Sequence, residues 1–343
     1  MNSLVFTYYC TSMSKERNTT IDFMRGLAIF LMILIHVTAH FLQDKTVYLL
    51  WDYTHFAVPL FIFCSAYLSF TGKEHKLTFP SVISRVGRLL RPYYIFLLIY
   101  FSYIFLIKQD QLPMQVILDK VFLLNAKSAD LEWLVVLFLS FILLFPLIQH
   151  AAKKPLFLFV LGIMSGGSAI YLLFADIPIP FRHMMWLPWI FYIVMVYSLV
   201  QEKKSKWFIP VVILFSAIVF IVSRSSLMSS GESLTLTHNK YPPNIFYLSY
   251  GVFWTFFLYW IHPKLHIPKY IDTLFSFFSR YSYPIFFIHF LIIYIFLDFV
   301  PFRKLQWWGF LIIVLILTIS GQLILNKINA IKRSFPLFRQ HNS

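Results

Sequence analysis

About ten runs of roughly 17 to 25 predominantly apolar residues follow one another along this chain, and runs of that length have few ways to fold. They lie near 21–41, 54–70, 92–107, 133–149, 155–174, 184–201, 206–223, 244–260, 274–297 and 305–325. The hydrocarbon core of a bilayer takes roughly 20 residues of helix. Lipid offers backbone N–H and C=O groups no partner, so segments this long and evenly apolar satisfy themselves as helices rather than as barrel strands. Of 343 residues, 59% are hydrophobic and 13% charged, with a mean hydropathy of +0.73, which excludes an ordinary soluble domain. The expectation is an all-α polytopic membrane protein with about ten transmembrane helices. Its connections are too short for a separate soluble catalytic domain.

The chain carries 29 Lys and Arg against 14 Asp and Glu, a net charge of +15. In a membrane protein such an excess reports orientation before it reports a ligand, which makes nucleic acid a poor partner. With the N-terminus in the cytoplasm, roughly two-thirds of the Lys and Arg fall in connections on that side, so both termini are expected to be cytoplasmic. The resulting division is a cytoplasmic segment 1–20, a transmembrane domain 21–325 and a basic cytoplasmic tail 326–343. The opening MNSLVFTYYCTS lacks the basic-then-apolar order of a signal peptide, and Met13 offers a second candidate start. Two cysteines, Cys10 and Cys64, make neither a disulfide framework nor a metal site.

Ionisable groups inside apolar spans each need a partner or a purpose, because burying one in lipid costs about 2.5–3.5 kcal/mol on insertion scales. The first span, TTIDFMRGLAIFLMILIHVTAHF, holds Arg25 and His36. Eleven residues at 100° each leave an offset of about 20°, so both share one helix face, separated by roughly 16 Å along the axis. Asp22 and His40 extend the same stripe, which implies a cavity on that side. An imidazole can take and return a proton near neutral pH, which makes His36 a candidate general base; Arg25 also reads as half of a local ion pair with Asp22. The segment SRVGRLLRPYY carries Arg85, Arg88 and Arg91, whose guanidinium forks suit phosphate oxygens and equally suit an anchor to anionic lipid. Glu132 opens the fourth span beside Trp133, a catalytic candidate or a belt position, and Arg182 and His183 are in similar case. Pro59 is a candidate kink, and Gly166-Gly167 a candidate break. The outer connection 224–243 has the composition of a mobile loop at SRSSLMSSGESLT. In HNKYPPN, Lys240, Tyr241 and Asn244 either line an opening or cap a helix. On one continuous ninth span, Arg280 and His289 would point oppositely, leaving His289 to bond a helix neighbour.

These residues together resemble the acyltransferase 3 family of membrane acyltransferases over most of the chain. The resemblance rests on DFMRGLAI followed by His36, on FAVPLFIFCSAYL, on RVGRLLRPY and on SYPIFFIH. It implies transfer of an acyl group, commonly acetyl from cytoplasmic acetyl-CoA, onto extracytoplasmic or lipid-linked carbohydrate at a bacterial inner membrane. By the same resemblance His36 is catalytic, Arg25, Arg88 and Arg91 support catalysis or donor binding, and Glu132 takes a catalytic part. Arg85 completes the donor-binding cluster, and no metal is required. The sequence holds no hydrolase-like extension and no G-x-S-x-G, so acceptor delivery falls to the membrane domain or to an extracytoplasmic partner protein. The competing reading is a transporter or polysaccharide exporter, in which the same Arg and His line a pathway through discontinuous helices.

Overall fold

A computed structural model describes residues 18–72, 78–124, 131–175, 185–201, 206–300 and 304–334. Met13, Arg182 and His183 lie outside the described residues. The described residues form thirteen α-helices. They are α1 Thr19–Thr38, α2 Lys45–Tyr53, α3 Ala57–Thr71, α4 Phe79–Ser102, α5 Met114–Phe122, α6 Glu132–Ala151 and α7 Pro155–Phe174. After these come α8 Trp186–Gln201, α9 Phe208–Ser230, α10 Ile245–Ile261, α11 Lys269–Arg280, α12 Ser282–Phe299 and α13 Trp307–Ser334. Among the described residues there is no strand, and eight helical stretches are long and apolar enough to cross a membrane. Each of the ten expected runs carries a helix, with α3, α8 and α10 the shorter single ones at 15, 16 and 17 residues.

Helix α1 sits at the centre. Asn18 caps it, its side chain accepting from Ile21 N at 3.2 Å, and α3, α11, α12 and α13 all pack against it. Two-thirds of its apolar window is buried, 67%, against 17% for α7 and α9, whose Leu156, Phe159, Leu214 and Ile221 face outward. An outer ring of apolar surface around a buried polar-striped helix is the arrangement a bilayer demands.

Four details differ from the sequence expectation, each for a local reason. The ninth run is two helices, α11 and α12, meeting at Tyr281. Pro284 lacks an N–H and its ring would crowd the carbonyl of Arg280, which favours a break here, whereas α4 and α6 continue through Pro92 and Pro146. Helix α11 then folds back across the start of α1, so closely that a Cβ on Gly26 would collide with the Phe275 backbone carbonyl. Helix α9 continues to Ser230, seven residues past the expected end. Ser223, Ser225 and Ser229 return their hydroxyls to carbonyls three or four residues back, which lets a serine-rich stretch stay helical. Gly231, at φ 71°, ends it. Pro59 lies in the first turn of α3, where a missing N–H costs nothing, and does not kink it. Finally, α7 runs unbroken through Gly166-Gly167, so neither of the expected discontinuities that favoured a transporter is present.

Candidate active site

Near its N-terminal end α1 turns Arg25 toward a cavity of about 450 Å³, and α4 contributes Arg85 and Arg88 to the same space. Ser65 and Ser69 of α3, Tyr283 of α12 and the phenyl rings of Phe61, Phe138, Phe141 and Phe145 complete most of its wall. Among the described residues the lining contains no carboxylate. The Arg25 guanidinium stands 6.0 Å from the Phe61 ring centroid. Arg85 Nη2 donates to Ser81 Oγ at 2.9 Å, and the charges of Arg85 and Arg88 oppose each other across the opening. Ser279 of α11 donates to Asp22 at 2.9 Å, and Tyr283 donates to the Leu89 carbonyl at 2.6 Å, so α11 and α12 brace α1 and α4 against one another. Arg91 is exposed and does not line the cavity. Six residues of helix turn through 600°, placing Arg91 about 120° from Arg85, whereas Arg88 lies only about 60° from it.

His36 stands eleven residues further along α1, partly exposed and outside the lining of the arginine cavity. Its partner is His289 of α12, fully buried, with His36 Nδ1 and His289 Nε2 3.1 Å apart. The protonation pattern is set by an acceptor-only carbonyl at one end. His289 Nδ1 lies 3.1 Å from the Ile285 carbonyl oxygen, so in the neutral ring Nδ1 carries the hydrogen and Nε2 the lone pair. With Nδ1 as its N–H, His36 donates toward that Nε2, and the Met32 backbone is a second partner of the same ring. This leaves His36 Nε2 with its lone pair free, the form in which an imidazole accepts a proton. The Phe290 ring, 4.2 Å from that of His36, walls the pair on one side. His40 is partly exposed at the edge of the Phe310 ring, 6.4 Å between centroids.

Glu132 is buried and joins neither group. Its Oε1 accepts from Lys120 Nζ at 2.8 Å, and Tyr93 donates to the Lys120 carbonyl at 2.6 Å, so the acid ties α6 to α5 and α4. Beside it, Trp133 meets the 231–244 connection. There Lys240 is 5% exposed, its ammonium 4.8 Å from the ring centroids of both Trp133 and Tyr241. Burial pushes the Lys240 ammonium down to about 7, because an apolar setting penalises the charged form. Asp52 pins this connection, accepting from Leu236 N at 3.1 Å and from Thr237 N and Oγ1 at 3.2 Å. Tyr247 and Tyr250 of α10 donate to the His55 and Tyr53 carbonyls at 2.9 and 2.6 Å. A polar cleft of about 810 Å³ opens at this connection, lined in part by Ser233, Thr237, His238, Asn239 and Tyr241.

The structure thus gathers Arg25, Arg85 and Arg88 around one space, while Arg91 and Glu132 stand apart from it. Three contributors escape a reading of spacing alone. For His289 the sequence offers a bond to some helix neighbour without naming it, since only tertiary structure brings α12 to α1. Asp52 and His55 anchor the 231–244 connection, and the signal for them is the one that marks Arg25 and His36, an ionisable side chain in an otherwise apolar segment.

No curated protein and no solved structure matches the chain. A family model described as an acyltransferase domain matches residues 18–327, a span that runs from the cap of α1 well into α13 and takes in the arginine cavity and the histidine pair alike. With eight helical stretches fit to cross a bilayer and that match over most of its length, the chain is a membrane acyltransferase and belongs to the acyltransferase 3 family.

Proposed function

We propose that this chain is an O-acyltransferase of the bacterial inner membrane, taking an acyl group, acetyl in the simplest case, from cytoplasmic acyl-CoA. The acceptor is a hydroxyl of an extracytoplasmic or lipid-linked carbohydrate. The observation that carries the reading is the meeting of Arg25 from one helix with Arg85 and Arg88 from another around one cavity, at the opposite end of α1 from the His36–His289 pair. Guanidinium forks around a wall of serines and phenyl rings suit the phosphates and adenine of coenzyme A. The roughly 16 Å of helix between Arg25 and His36 suits the long pantetheine arm, which would deliver the thioester toward the other face.

At that face His36 Nε2 takes the proton of the acceptor hydroxyl while its oxygen attacks the thioester carbonyl carbon. The C–S bond then breaks, and the leaving thiolate recovers the proton from the imidazolium. His289, which touches neither substrate, positions the ring by accepting from its Nδ1. Glu132, held by Lys120, fixes the start of α6 and with it Trp133. The polar cleft beside Tyr241 is where a carbohydrate, alone or presented by a partner protein, would approach.

The test is consumption of radiolabelled acetyl-CoA by the purified protein in lipid nanodiscs, read as thiol release with water or added glycan as acceptor. Wild type is expected to bind and consume the donor. His36→Ala is expected to bind it equally well and to lose about 10³-fold in turnover, within the usual range for a general base. A wild-type protein that neither binds nor cleaves acetyl-CoA would overturn the proposal.

A further inference from the structure

Lys240 is the most heavily buried cation among the described residues outside the arginine cavity, and its surroundings give it no counter-charge. Its side chain is 5% exposed, and among the described residues no carboxylate and no hydrogen-bond acceptor meets its Nζ. Two ring faces, Trp133 and Tyr241, lie 4.8 Å away. Cation–π attraction offsets part of the cost of desolvating an ammonium, but it leaves the N–H donors without a protein acceptor. The ammonium is also held in place. Asp52 fixes the backbone of Leu236 and Thr237, Thr237 O accepts from Lys240 N at 3.4 Å, and Lys240 bridges to Pro243 across the turn. The Thr237 to which it bonds has its Oγ1 3.4 Å from His55 Nε2, and the Thr54–Phe56 turn that carries His55 packs against α1, so Lys240 stands at the histidine end of the molecule.

We propose that Lys240 receives the negative charge that forms on the thioester carbonyl oxygen during acyl transfer. The inference rests on the transferase reading and adds to it the group that stabilises the intermediate. When the acceptor oxygen bonds to the carbonyl carbon, the C=O π pair moves onto oxygen and the hydroxyl proton moves to His36. Collapse re-forms C=O, breaks the C–S bond and sends the thiolate away with that proton. No other charge is created or consumed. The donor's phosphates, fixed negative charges, are matched at the far end of α1 by arginines, so the charge that appears near His36 is the transient one. A fixed, water-poor ammonium without a partner in the resting protein is worth most when an anion appears beside it, because no solvent or side chain has to reorganise.

The experiment measures three quantities in nanodiscs for wild type, Lys240→Met and Lys240→Arg: the Kd for acetyl-CoA, kcat for thiol release from saturating acetyl-CoA with water as acceptor, and the thermal midpoint. Hydrolysis passes through the same tetrahedral oxyanion, so no acceptor need be known. Lys240→Met is expected to lower kcat about 10²- to 10³-fold, to leave Kd within about twofold, and not to lower the midpoint, since it removes an uncompensated buried charge. Lys240→Arg is expected to recover part of the rate. It also reads the proton. The ammonium is the active form, so wild-type kcat should fall as pH rises through about 7, the value to which burial brings Lys240. The titratable groups around it are His36, backed by His289, then His55 and Tyr241. Protonation of the histidines belongs to the acid side, and Tyr241 is displaced upward by its own burial. Arginine does not deprotonate, so its variant should lose the alkaline limb. Wild-type kcat in Lys240→Met, a parallel loss of Kd and kcat, or an unchanged alkaline limb in Lys240→Arg would each overturn this inference and leave the transferase reading standing. Absence of donor binding and thiol release in the wild type would overturn both.

Discussion

The two ends of α1 solve different problems with different physics. At the N-terminal end the charges are numerous, on long side chains and partly wet. Arg85 and Arg88 stand on α4, reach into an open cavity and repel each other. At the other end the polar groups are few, and those that surround the partly exposed His36 are buried. His289 has no exposure, Lys240 has 5%, and a chain of directed hydrogen bonds fixes which nitrogen is free. A ligand with several permanent charges is held well enough by mobile guanidinium groups in water, whereas a charge that exists only during a reaction is stabilised by groups that do not need to move. The contrast separates binding from turnover, and substitutions at the two ends should therefore fail in different ways.

The largest effect is expected where the two ends depend on the same packing. A methyl group on Gly26 would collide with the Phe275 backbone carbonyl of α11, and backbone, unlike a side chain, cannot rotate away. Gly26→Ala must part α11 from α1, with overpacking costs of about 1–3 kcal/mol or more. The expected outcome is a large loss of monodisperse protein on size exclusion, and loss of donor binding and turnover together in whatever remains. Full yield with normal kinetics would mean that the close crossing does not hold the site.

Next comes the histidine pair. Replacing His289 with Leu removes the acceptor for His36 Nδ1, releasing the ring to present either nitrogen. Thiol-release kcat should fall by up to about 100-fold, as for a misplaced reacting group, while Kd for acetyl-CoA holds. His289→Gln, which offers an amide oxygen to the same N–H, should restore part of the rate. Equal loss in both variants would reduce His289 to a packing residue.

The same contrast explains what could be read from the chain alone. Helical class and the apolar runs were legible because lipid removes most alternatives; helix spacing put Arg25 and His36 on one face of α1, but the single cavity expected there is not what they share, since Arg25 lines the arginine cavity and His36 meets His289 outside it. Arg88 joining Arg25 was legible only as a type of chemistry, since no spacing within α4 says which helix it will face. The split at Tyr281 was present in the sequence as Pro284, masked by the apolar residues on both sides. His289 meeting His36 was not legible, because 253 residues separate them and the contact depends on α12 starting afresh after that break. The 224–243 stretch misleads for the opposite reason. Its serine-rich composition suggests mobility, but the helix continues to Ser230, and Asp52, from a distant segment, pins the backbone of Leu236 and Thr237 beyond it.

The smallest effect belongs to the arginine end, and there the comparison can be sharpened within a single helix. A charge-assisted hydrogen bond to phosphate contributes about 1.5–3 kcal/mol, and exposure brings Arg88 to the lower part of that range. Arg88→Ala should therefore raise Kd for acetyl-CoA about 10-fold and leave kcat at saturating donor unchanged. The wild-type Kd should also weaken with added salt more steeply than the variant's, since exposed charges are screened over a Debye length of about 8–10 Å. Arg91→Ala provides the control, because it has the same charge and the same helix but a direction about 120° away from Arg85. If the cavity does the binding, Arg91→Ala keeps Kd within about twofold. If both variants weaken the donor alike, the arginines act as a diffuse positive surface toward anionic lipid and ligand together, and the assignment of the phosphates to this cavity fails while the histidine end keeps its role.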